Sequence, residues 1–459
     1  MYLFDPDDSR PIHFMGIGGA GMGALALITQ HRGVVVTGCD VDPGAVRDVD
    51  LAGAGLLEGH DPRHVKGARA VIHTSAVQPD HPELIAARES GLPVLRRAEA
   101  LQAVVEGGTV VAVSGTHGKT TTTVMITDLF AAAGRDPTGI VGGRVAKWRG
   151  NARSGGSALY VVEADEYDRS FLALSPTVAV VNNVEADHLE CYGSLELMED
   201  AFVEFADRAD RAIVGADDPG AKKIASRLSA PVWSVGFDEG ADFRVSEVIR
   251  VAEKSSATLH SPDGGEYRLE LSVPGLHNIR NAATSIAAVA ALDVDIGSAC
   301  SAVTAFTGVT RRFEILGTRA GVTVVDDYAH HPTEVAAAID AARQRFPNSR
   351  LITVFQPHLY SRTQAMGAEL GNALTDADVV VVTDIYGARE KPIAGVSGRM
   401  VSDVVVQAGT ECHWVPQANK LARFLSDFVD GGDTVLTLGA GDITRIGREL
   451  LVGLSGTAA

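Results

Sequence analysis

A short segment rich in glycine and threonine, G-T-H-G-K-T-T-T, occupies residues 115–122. It directly follows the apolar run 110–113 and precedes a stretch of helical character that extends to Phe130. Such a helix N-terminus can hold a triphosphate, because its backbone N–H groups bind phosphate oxygens, Lys119 neutralises charge and Thr120 reaches Mg²⁺. The first glycine of the common Walker spacing would fall on Val113. The segment predicts a nucleoside triphosphate site with a shorter loop.

Carboxylates follow the next predicted strand, residues 159–162, in the run E-A-D-E-Y-D. Mg²⁺ prefers hard oxygen ligands, and the end of a neighbouring parallel strand is well placed to supply one. Glu163 comes first and is the expected ligand. A solvated acidic loop is the better interpretation of Asp165, Glu166 and Asp168.

A third predicted strand, residues 178–181, ends in N-N-V-E-A-D-H. This run brings an amide, two acids and the imidazole of His188 to the same edge of the sheet. A lone histidine is more often structural than a ligand, but its position beside the predicted metal site favours a functional role for His188.

A second glycine loop, G-I-G-G-A-G at residues 16–21, follows a predicted strand and opens a helix. Gly16, Gly18 and Gly21 permit a tight turn and close backbone approach to a pyrophosphate, and Asp40 ends the next strand about 20 residues on. The motif alone leaves three interpretations open, namely NAD or FAD, another nucleotide, or a turn without a ligand.

Apolar β-branched runs alternate with alanine-rich helical stretches along the whole chain, which is typical of βα units with parallel sheets. Three blocks are separated near Gly107 and Phe313, so we expect domains at residues 1–107, 108–313 and 314–459. A β-hairpin is expected around Asp263, Gly264 and Gly265 in the second block, followed by a helix over residues 278–292. Further strands are expected at 12–15, 34–38, 70–73, 109–113, 322–325, 351–355, 379–383 and 434–438. The fold class is therefore α/β, with Rossmann-like outer domains and a central domain like a P-loop ATPase.

Charge and composition exclude several classes. The 459 residues contain 40 Lys and Arg against 58 Asp and Glu, a net charge of −18, with no basic run suited to a nucleic-acid backbone. The four cysteines form no C-x-x-C pair, the N-terminus is acidic, and no apolar stretch approaches about 18 residues. We expect a cytoplasmic protein without nucleic-acid partners or membrane insertion.

The ordered motifs together resemble the Mur ligases, ATP-dependent amide-forming enzymes of peptidoglycan precursor synthesis. The resemblance covers nearly the whole chain. It rests on the two glycine loops and on E-A-D-E-Y-D, N-N-V-E-A-D-H, H-N-I-R-N-A, G-V-T-R-R-F-E, D-D-Y-A-H-H-P-T-E, F-Q-P-H and L-G-A-G-D-I. Two phosphate sites in two blocks also argue against an NAD-dependent oxidoreductase, which needs no ATP.

The resemblance implies a role for each candidate residue. The UDP part of the substrate would contact Gly16, Gly18, Gly19, Gly21, Asp40, Thr74 and Ser75. ATP would contact Gly115, Thr116, His117, Gly118, Lys119, Thr120, Thr121, His277, Asn278, Asn281, Arg312 and Asp327. The metal ligands would be Thr120, Glu163 and His188, and the catalytic residues Lys119, Glu163, His188 and Arg312. The alanine subsite would comprise Tyr328, His330, His358 and Arg362.

By the same resemblance, the substrates are UDP-N-acetylmuramate, L-alanine and ATP, with Mg²⁺ or Mn²⁺, in a monomer or homodimer. The absence of lysine between His188 and Lys222 fits the alanine-adding branch, because sister enzymes carry a carbamylated lysine there. Leu359 departs from the family, which often has arginine after F-Q-P-H. The nearest alternative is the recycling ligase that joins a tripeptide to the same UDP sugar.

Overall fold

The computed structural model describes residues 3–42, 55–388 and 390–455, except for the side chain of Glu190. The chain is an α/β protein of three domains, each with its own sheet. By compactness it divides into two units. The first contains Met1–Glu247, Ala257–Leu269 and Arg280–Phe306, and the second contains Val248–Ser256, Glu270–Ile279 and Thr307–Ala459.

The N-terminal sheet is parallel throughout, with strand order β3-β2-β1-β4-β5. Its elements are β1 (Ile12–Met15), α1 (Ala20–His31), β2 (Val36–Asp40), β3 (Gly55–Glu58), the 3₁₀ turn Pro62–Val65, β4 (Ala70–His73), α2 (Pro82–Glu89), β5 (Val94–Arg96) and α3 (Arg97–Val105). The strand order reverses between β1 and β4, which is where Rossmann-like sheets open a crevice for ligands. The Rossmann-like prediction for this domain is confirmed.

The second strand starts later than expected, at Val36 instead of Val34. The N–H of Val34 donates to the carbonyl of Thr29, so this residue still belongs to the end of α1. The shift carries β2 as far as Asp40, at the same edge of the sheet as the first glycine loop.

The central sheet has the order β15-β14-β13-β12-β11-β10-β6-β9-β7-β8. Its strands are β6 (Thr109–Ser114), β7 (Thr138–Val145), β8 (Gly150–Arg153), β9 (Leu159–Glu163), β10 (Val178–Val181), β11 (Arg211–Gly215), β12 (Val232–Gly236), β13 (Phe243–Val251), β14 (Lys254–His260) and β15 (Glu266–Leu271). Its helices are α4 (Lys119–Ala132), α5 (Leu189–Tyr192), α6 (Leu195–Ala206), α7 (Pro219–Ala225), α8 (Leu276–Ala290) and α9 (Ile296–Ala302), with 3₁₀ turns at Ala146–Trp148, Tyr167–Ala173 and Val303–Ala305.

The order of the central strands positions the second glycine loop. β6 pairs in parallel with β10 on one side and with β9 on the other. The carboxyl ends of β9 and β10 therefore flank the loop that follows β6. The predicted hairpin is also confirmed, since β14 neighbours β15 and the intervening Gly264 has φ +85°.

The C-terminal sheet has the order β16-β17-β21-β18-β19-β20, antiparallel only between β16 and β17. Its elements are β16 (Glu314–Arg319), β17 (Val322–Asp327), α10 (Pro332–Arg345), β18 (Leu351–Phe355), α11 (Tyr360–Ala373), β19 (Val379–Val382), α12 (Arg399–Gln407), β20 (Glu411–Trp414), α13 (Ala418–Phe428), β21 (Thr434–Leu438) and α14 (Thr444–Ser455).

Helices cover both faces of this sheet, and β18 and β21 are buried at every position. Strands that are covered on both faces consist of continuous apolar residues, so their positions could be predicted from the sequence. The exact borders at 107/108 and 313/314 stay a prediction. Among the described helices, none is long and apolar enough to span a bilayer.

Candidate active site

The loop after β6 depends on two glycines with left-handed backbones. Gly115 has φ +124° and Gly118 has φ +81°. A Cβ on Gly118 would lie 2.8 Å from Oδ1 of Asn281 and 3.0 Å from Nδ2 of Asn182. Only glycine fits there without displacing these amides. The loop thus turns sharply and directs the N-terminus of α4 toward the space above the sheet, where an anion can bind.

Two asparagines at the end of β10 hold this loop from the side. The N–H of His117 donates to Oδ1 of Asn183 at 2.7 Å, and Nδ2 of Asn182 donates to the carbonyl of His117 at 3.1 Å. The N–H of Thr116 donates to the carbonyl of Asn183 at 3.1 Å. These bonds hold the loop in one conformation, and a preorganised loop loses little conformational entropy when it binds a phosphate.

Lys119 is the first residue of α4, and its ammonium group lies within the loop. Its Nζ donates to the carbonyls of Gly115 at 2.7 Å and Thr116 at 3.2 Å, and to Oε1 of Glu166 at 2.7 Å. Burial lowers the pKa of Lys119, but the charges of Glu166 and Asp165 outweigh that effect and raise it. The side chain is therefore a cation at neutral pH.

The solvated interpretation of Glu166 is wrong. Its side chain is 1% exposed, and its carbonyl accepts a hydrogen bond from the hydroxyl of Tyr192. The side chains of Asp165 and Asp168, in contrast, are 41% and 47% exposed, and each lies within 4 Å of an arginine. The 3₁₀ turn Tyr167–Ala173 folds the chain back at this point, and the sequence pattern gave no sign of that reversal.

Thr120 and Glu163 meet at the carboxyl ends of β6 and β9. Oγ1 of Thr120 donates to Oε2 of Glu163 at 2.9 Å, and the same carboxylate oxygen accepts from the N–H of Gly142 at 2.8 Å. A hydroxyl beside a carboxylate is a donor set that suits Mg²⁺. These two residues therefore fit the predicted metal site beside the phosphate loop.

His188 follows β10 and immediately precedes α5 with a left-handed backbone, φ +52°. Its ring contacts the ring of Tyr167 edge-on at 5.1 Å, and Nε2 lies 3.8 Å from Oδ2 of Asp187. These contacts place His188 beside Tyr167 and Asp187, and its role as a metal ligand stays a prediction. An imidazole is a weaker partner for Mg²⁺ than for Mn²⁺.

Residues predicted to contact UDP come together around the first glycine loop of the N-terminal domain. Gly16 has φ +78°, and a Cβ there would lie 2.7 Å from Cγ2 of Thr74. The N–H of Gly18 donates to Oδ2 of Asp40 at 3.0 Å. Gly19 is the N-cap of α1, and Ser75 is exposed beside Thr74. The loop is closed by Asp40 on one side and by β4 on the other.

Arg97 is a charged residue at this loop that the sequence analysis missed. A Cβ on Gly21 would lie 3.0 Å from Nη1 of Arg97, and Nη2 lies 3.6 Å from Oδ2 of Asp165. The cation therefore stands between the glycine loop and the acidic run after β9. Nothing in L-R-R-A-E-A marks this arginine, because its position follows only from how α3 packs.

The three residues of α8 that were predicted to contact ATP have different surroundings. Asn281 faces the phosphate loop at Gly118 and is buried. Nδ2 of Asn278 donates to the carbonyl of Pro274 at 2.7 Å, one turn earlier. His277 lies beside Gly275, whose φ of +95° allows this close approach. By compactness, His277 and Asn278 belong to the second unit and Asn281 to the first.

Asp327 ends β17 and is held by two backbone N–H groups, those of Phe313 and Ala329, both at 2.7 Å. Burial raises its pKa to about 6, although the nearby charge of Arg312 opposes the shift. Asp327 does not cap the following helix, α10, because the N-cap of that helix is His331.

Arg311 and Arg312 are not a solvated charge pair. Arg311 donates to Oδ2 of Asp326 at 3.3 Å and to the carbonyl of Gly439 at 2.6 Å, which ties the start of the domain to the end of β21. Arg312 lies over the ring of Tyr328 at 5.2 Å, with Nη1 3.7 Å from Oε1 of Glu334. Arg311 thus connects this segment to the end of β21, and Arg312 lies beside Tyr328 and Glu334.

The predicted alanine subsite forms a continuous row of side chains. The ring centroids of Tyr328 and His330 are 5.2 Å apart, and those of His330 and His358 are 5.8 Å apart. Nη1 of Arg362 lies 3.4 Å from Nδ1 of His358, and Arg362 is buried. Tyr386, which the sequence analysis missed, stacks on His358.

These domains and loops define a nucleotide-dependent α/β enzyme, and comparison with known proteins gives its family. The chain belongs to the Mur ligase family. Residues 11–108 match the model "Mur ligase family, catalytic domain", residues 113–289 match "Mur ligase middle domain", and residues 311–441 match "Mur ligase, glutamate ligase domain".

Individual relatives are similar over their whole length. A UDP-N-acetylmuramate–L-alanine ligase of Cutibacterium acnes is 43% identical over 465 residues, covering 99% of this chain and 98% of the relative. The crystal structure of the UDP-N-acetylmuramate–alanine ligase of Thermotoga maritima superposes with a TM-score of 0.84 at 29% identity, covering 97% of this chain and 99% of that one. A murein peptide ligase of Psychrobacter arcticus shares the fold, with a TM-score of 0.71 at 24% identity, covering 98% and 100% of the two chains.

Proposed function

We propose that this protein joins L-alanine to the lactyl carboxylate of UDP-N-acetylmuramate, with conversion of ATP to ADP and phosphate. The observation that carries the proposal is the 43% identity, over 99% of this chain, to a UDP-N-acetylmuramate–L-alanine ligase. The site supports it with a phosphate loop that contains Lys119, the Thr120–Glu163 pair and a second glycine loop. The reaction belongs to peptidoglycan precursor synthesis.

ATP binds with its phosphates on the loop from Gly115 to Thr121. The N-terminus of α4 and Lys119 supply positive charge there, which favours the polyphosphate despite the net charge of −18. His277, Asn278 and Asn281 contact the adenine and the phosphate region. Arg312 binds the γ-phosphate and Asp327 the ribose.

Thr120, Glu163 and His188 would hold Mg²⁺ or Mn²⁺, and the cation would supply positive charge to the phosphate oxygens. The hard oxygens of Thr120 and Glu163, 2.9 Å apart, support this assignment. Glu163 keeps its orientation through the N–H of Gly142.

The UDP part of the substrate lies on the first glycine loop. Gly16, Gly18, Gly19 and Gly21 allow the backbone to approach the pyrophosphate. Asp40, Thr74 and Ser75 line the loop, and Arg97 adds a positive charge at its edge. We therefore propose that this loop binds UDP, and not NAD or FAD.

The chemistry proceeds in two transfers. A lactyl carboxylate oxygen attacks the γ-phosphorus, and the bond from this phosphorus to the β,γ-bridging oxygen breaks. The products of this first transfer are an acyl phosphate and ADP. Lys119 and Arg312 stabilise the charge that develops on the phosphoryl oxygens. The amine of alanine then attacks the acyl carbon and gives up a proton to His188, His330 or solvent. The C–O bond to phosphate breaks, which leaves the amide and inorganic phosphate.

The alanine carboxylate is bound by the row of Tyr328, His330, His358 and Arg362. A guanidinium binds a carboxylate with paired hydrogen bonds and leaves the amine free to attack. Because this family member has Leu359 after F-Q-P-H, Arg362 is the arginine of this segment that remains for that role. The enzyme acts in the cytoplasm as a monomer or homodimer, with domain borders near residues 107 and 313.

A coupled assay of ADP release tests the function. With UDP-N-acetylmuramate and ATP, L-alanine supports turnover, whereas the tripeptide L-alanyl-γ-D-glutamyl-diaminopimelate does not. Preference for the tripeptide would favour the recycling ligase, and calorimetric binding of NADH would restore an oxidoreductase.

A further inference from the structure

Four side chains with metal-binding atoms meet inside the N-terminal domain, and the proposed reaction uses none of them. His13 lies on β1, Cys39 on β2, His64 in the 3₁₀ turn Pro62–Val65 and Glu83 in the first turn of α2. His13, Cys39 and Glu83 are 0% exposed. Nδ1 of a fifth residue, His60, lies 3.2 Å from Oε2 of Glu83 and 3.1 Å from Sγ of Cys39. A buried carboxylate surrounded by imidazoles and a thiol is unusual in a protein core, where charged groups need strong compensation.

The distances among these atoms are close to those of a tetrahedral metal site. Oε1 of Glu83 lies 3.0 Å from Nε2 of His13, 3.3 Å from Nδ1 of His64 and 3.4 Å from Sγ of Cys39. Sγ of Cys39 lies 3.4 Å from Nε2 of His13. With bonds of about 2.0–2.3 Å, tetrahedral Zn²⁺ separates its ligand atoms by about 3.3–3.7 Å. All four atoms lie within 4.8 Å of one another.

The surrounding hydrogen bonds prepare the imidazoles for this role. Nδ1 of His13 lies 3.0 Å from Oγ1 of Thr37, so a proton on Nδ1 leaves the lone pair of Nε2 directed into the cluster. Metal-binding histidines are usually held by such a second hydrogen bond. For the buried Nδ1 of His64, no hydrogen-bond partner lies in the described part of the chain. That nitrogen is 3.3 Å from the carboxylate of Glu83 and within 4.8 Å of the ligand atoms of His13 and Cys39.

We propose that His13, Cys39, His64 and Glu83 form a binding site for Zn²⁺. One thiolate, two imidazoles and one carboxylate are the ligand types that Zn²⁺ accepts in tetrahedral sites. The side chains of His64 and the neighbouring His60 are 15% and 16% exposed. This side of the cluster therefore gives the ion a route from solvent. The role is structural, since the metal closes its coordination shell with protein ligands.

The site lies directly behind the first glycine loop. The carbonyl of Cys39 accepts the N–H groups of Gly16 at 2.8 Å and Ile17 at 3.2 Å, and the next residue, Asp40, accepts that of Gly18. A metal bound to Cys39 therefore fixes β2 at the point from which the loop is held. It also connects β1, β2, the 3₁₀ turn and α2 into one body.

Titration of the full-length protein with Co²⁺ tests the site. Metal is first removed with a chelator, and excess Mg²⁺ is then added to occupy oxygen-rich sites. We expect one Co²⁺ per chain with the visible bands of tetrahedral cobalt and a near-ultraviolet band from thiolate-to-cobalt charge transfer. Zn²⁺ then displaces the cobalt and raises the melting temperature. Absence of the charge-transfer band in the wild-type protein overturns the proposal.

Two variants with matched controls locate the ion. Cys39→Ser abolishes the charge-transfer band, whereas Cys300→Ser, at a buried cysteine outside the cluster, retains it. His64→Gln weakens Zn²⁺ binding by at least about 100-fold, since a lost ligand costs more than a lost supporting contact. His413→Gln, at a more exposed histidine, leaves it unchanged. Circular dichroism verifies the fold of each variant, and His64 is exposed enough for its variant to fold if Cys39→Ser does not. Binding by folded His64→Gln equal to that of the wild type overturns the proposal.

Discussion

The ammonium group of Lys119 lies 2.7 Å from a carboxylate oxygen of Glu166, which is itself buried at 1% exposure. The same ammonium also donates to the carbonyls of Gly115 and Thr116. In this arrangement the lysine is already saturated with hydrogen bonds when ATP arrives. A phosphate must therefore compete with Glu166 for the cation, and the carboxylate opposes the incoming charge.

Glu166→Gln removes this competitor. We expect tighter ATP binding, because the loop becomes more positive, and a stability loss of about 1–3 kcal/mol, because a buried charged hydrogen bond is weakened. Calorimetric titration with ATP and urea unfolding measure the two effects. Asp168→Asn is the control, since that exposed carboxylate lies 3.9 Å from Arg96 and is not bonded to Lys119. Weaker ATP binding in Glu166→Gln would show that the carboxylate assists the phosphate contact.

Lys119→Met removes the cation of the phosphate loop. Alanine-dependent phosphate release falls by about 10²–10³-fold or more, because charge on the transferred phosphoryl group loses its stabilisation. Binding of UDP-N-acetylmuramate, measured by calorimetry, stays at the wild-type value. Lys222→Met, at a half-exposed lysine paired with Asp238, serves as the control. Turnover close to the wild-type rate would disprove the assignment.

Gly118→Ala places a methyl group against two amides. An alanine in the left-handed backbone conformation raises the free energy of the folded state by about 1–2 kcal/mol. The close contact of its Cβ with Asn281 and Asn182 raises it further. We expect ATP affinity to fall about tenfold or more. Gly134→Ala is the matched control, because Gly134 has φ +74° but no atom within 4 Å of the added Cβ. Equal losses of ATP affinity in the two variants would show that the crowding is irrelevant.

Arg362→Ala tests the alanine subsite. The KM for alanine rises by about tenfold or more, since a bidentate contact to its carboxylate is lost, while the KM for ATP changes little. Steady-state kinetics with each substrate varied separate the two values. Arg343→Ala, which removes a pairing with Asp378 at the surface, is the control. A rise confined to the KM for ATP would place Arg362 elsewhere in the reaction.

Because Asp327 has a raised pKa, we expect kcat/KM for ATP to depend on pH. Burial raises its pKa to about 6, so the carboxylate that would bind ribose is protonated below that pH. We expect kcat/KM for ATP to fall as the pH drops below about 6, and Asp327→Asn to lack this step. The folded pKa exceeds the ordinary 3.8, so protonation of this group favours folding. That contribution is present at low pH and lost as the pH rises through 6. Acid unfolding through Asp327 therefore does not explain the fall, which circular dichroism at pH 5 checks.

Much of the fold was predictable because buried parallel strands carry their own signal. The runs at 178–181, 351–355 and 434–438 became β10, β18 and β21 with the same bounds. The start of β2 was harder to predict, because an apolar residue such as Val34 is equally compatible with a strand and with the end of a helix. Strand order was also invisible, since pairing of β6 with β9 and β10 depends on contacts between distant segments.

The candidate site divides in the same way. Lys119 and Thr120 begin α4 and Glu163 ends β9, all within recognisable motifs, and the structure brings Thr120 and Glu163 into contact. Glu166 and Arg97 could not be found by spacing. The first is buried by a 3₁₀ turn that reverses the chain, and the second reaches its loop only through the packing of α3. The roles proposed for the predicted residues stay predictions.

Helix α4 is buried at ten of its fourteen positions, including Thr120–Thr123. The hydroxyl of Thr123 donates to the carbonyl of Lys119, and that of Thr127 donates to the carbonyl of Thr123, so even the polar side chains are committed to the interior. An inhibitor that occupied the phosphate loop would contact mainly backbone N–H groups and this first turn. Few single substitutions could exclude such a compound and keep the helix packed, so resistance at this site would carry a direct loss of stability.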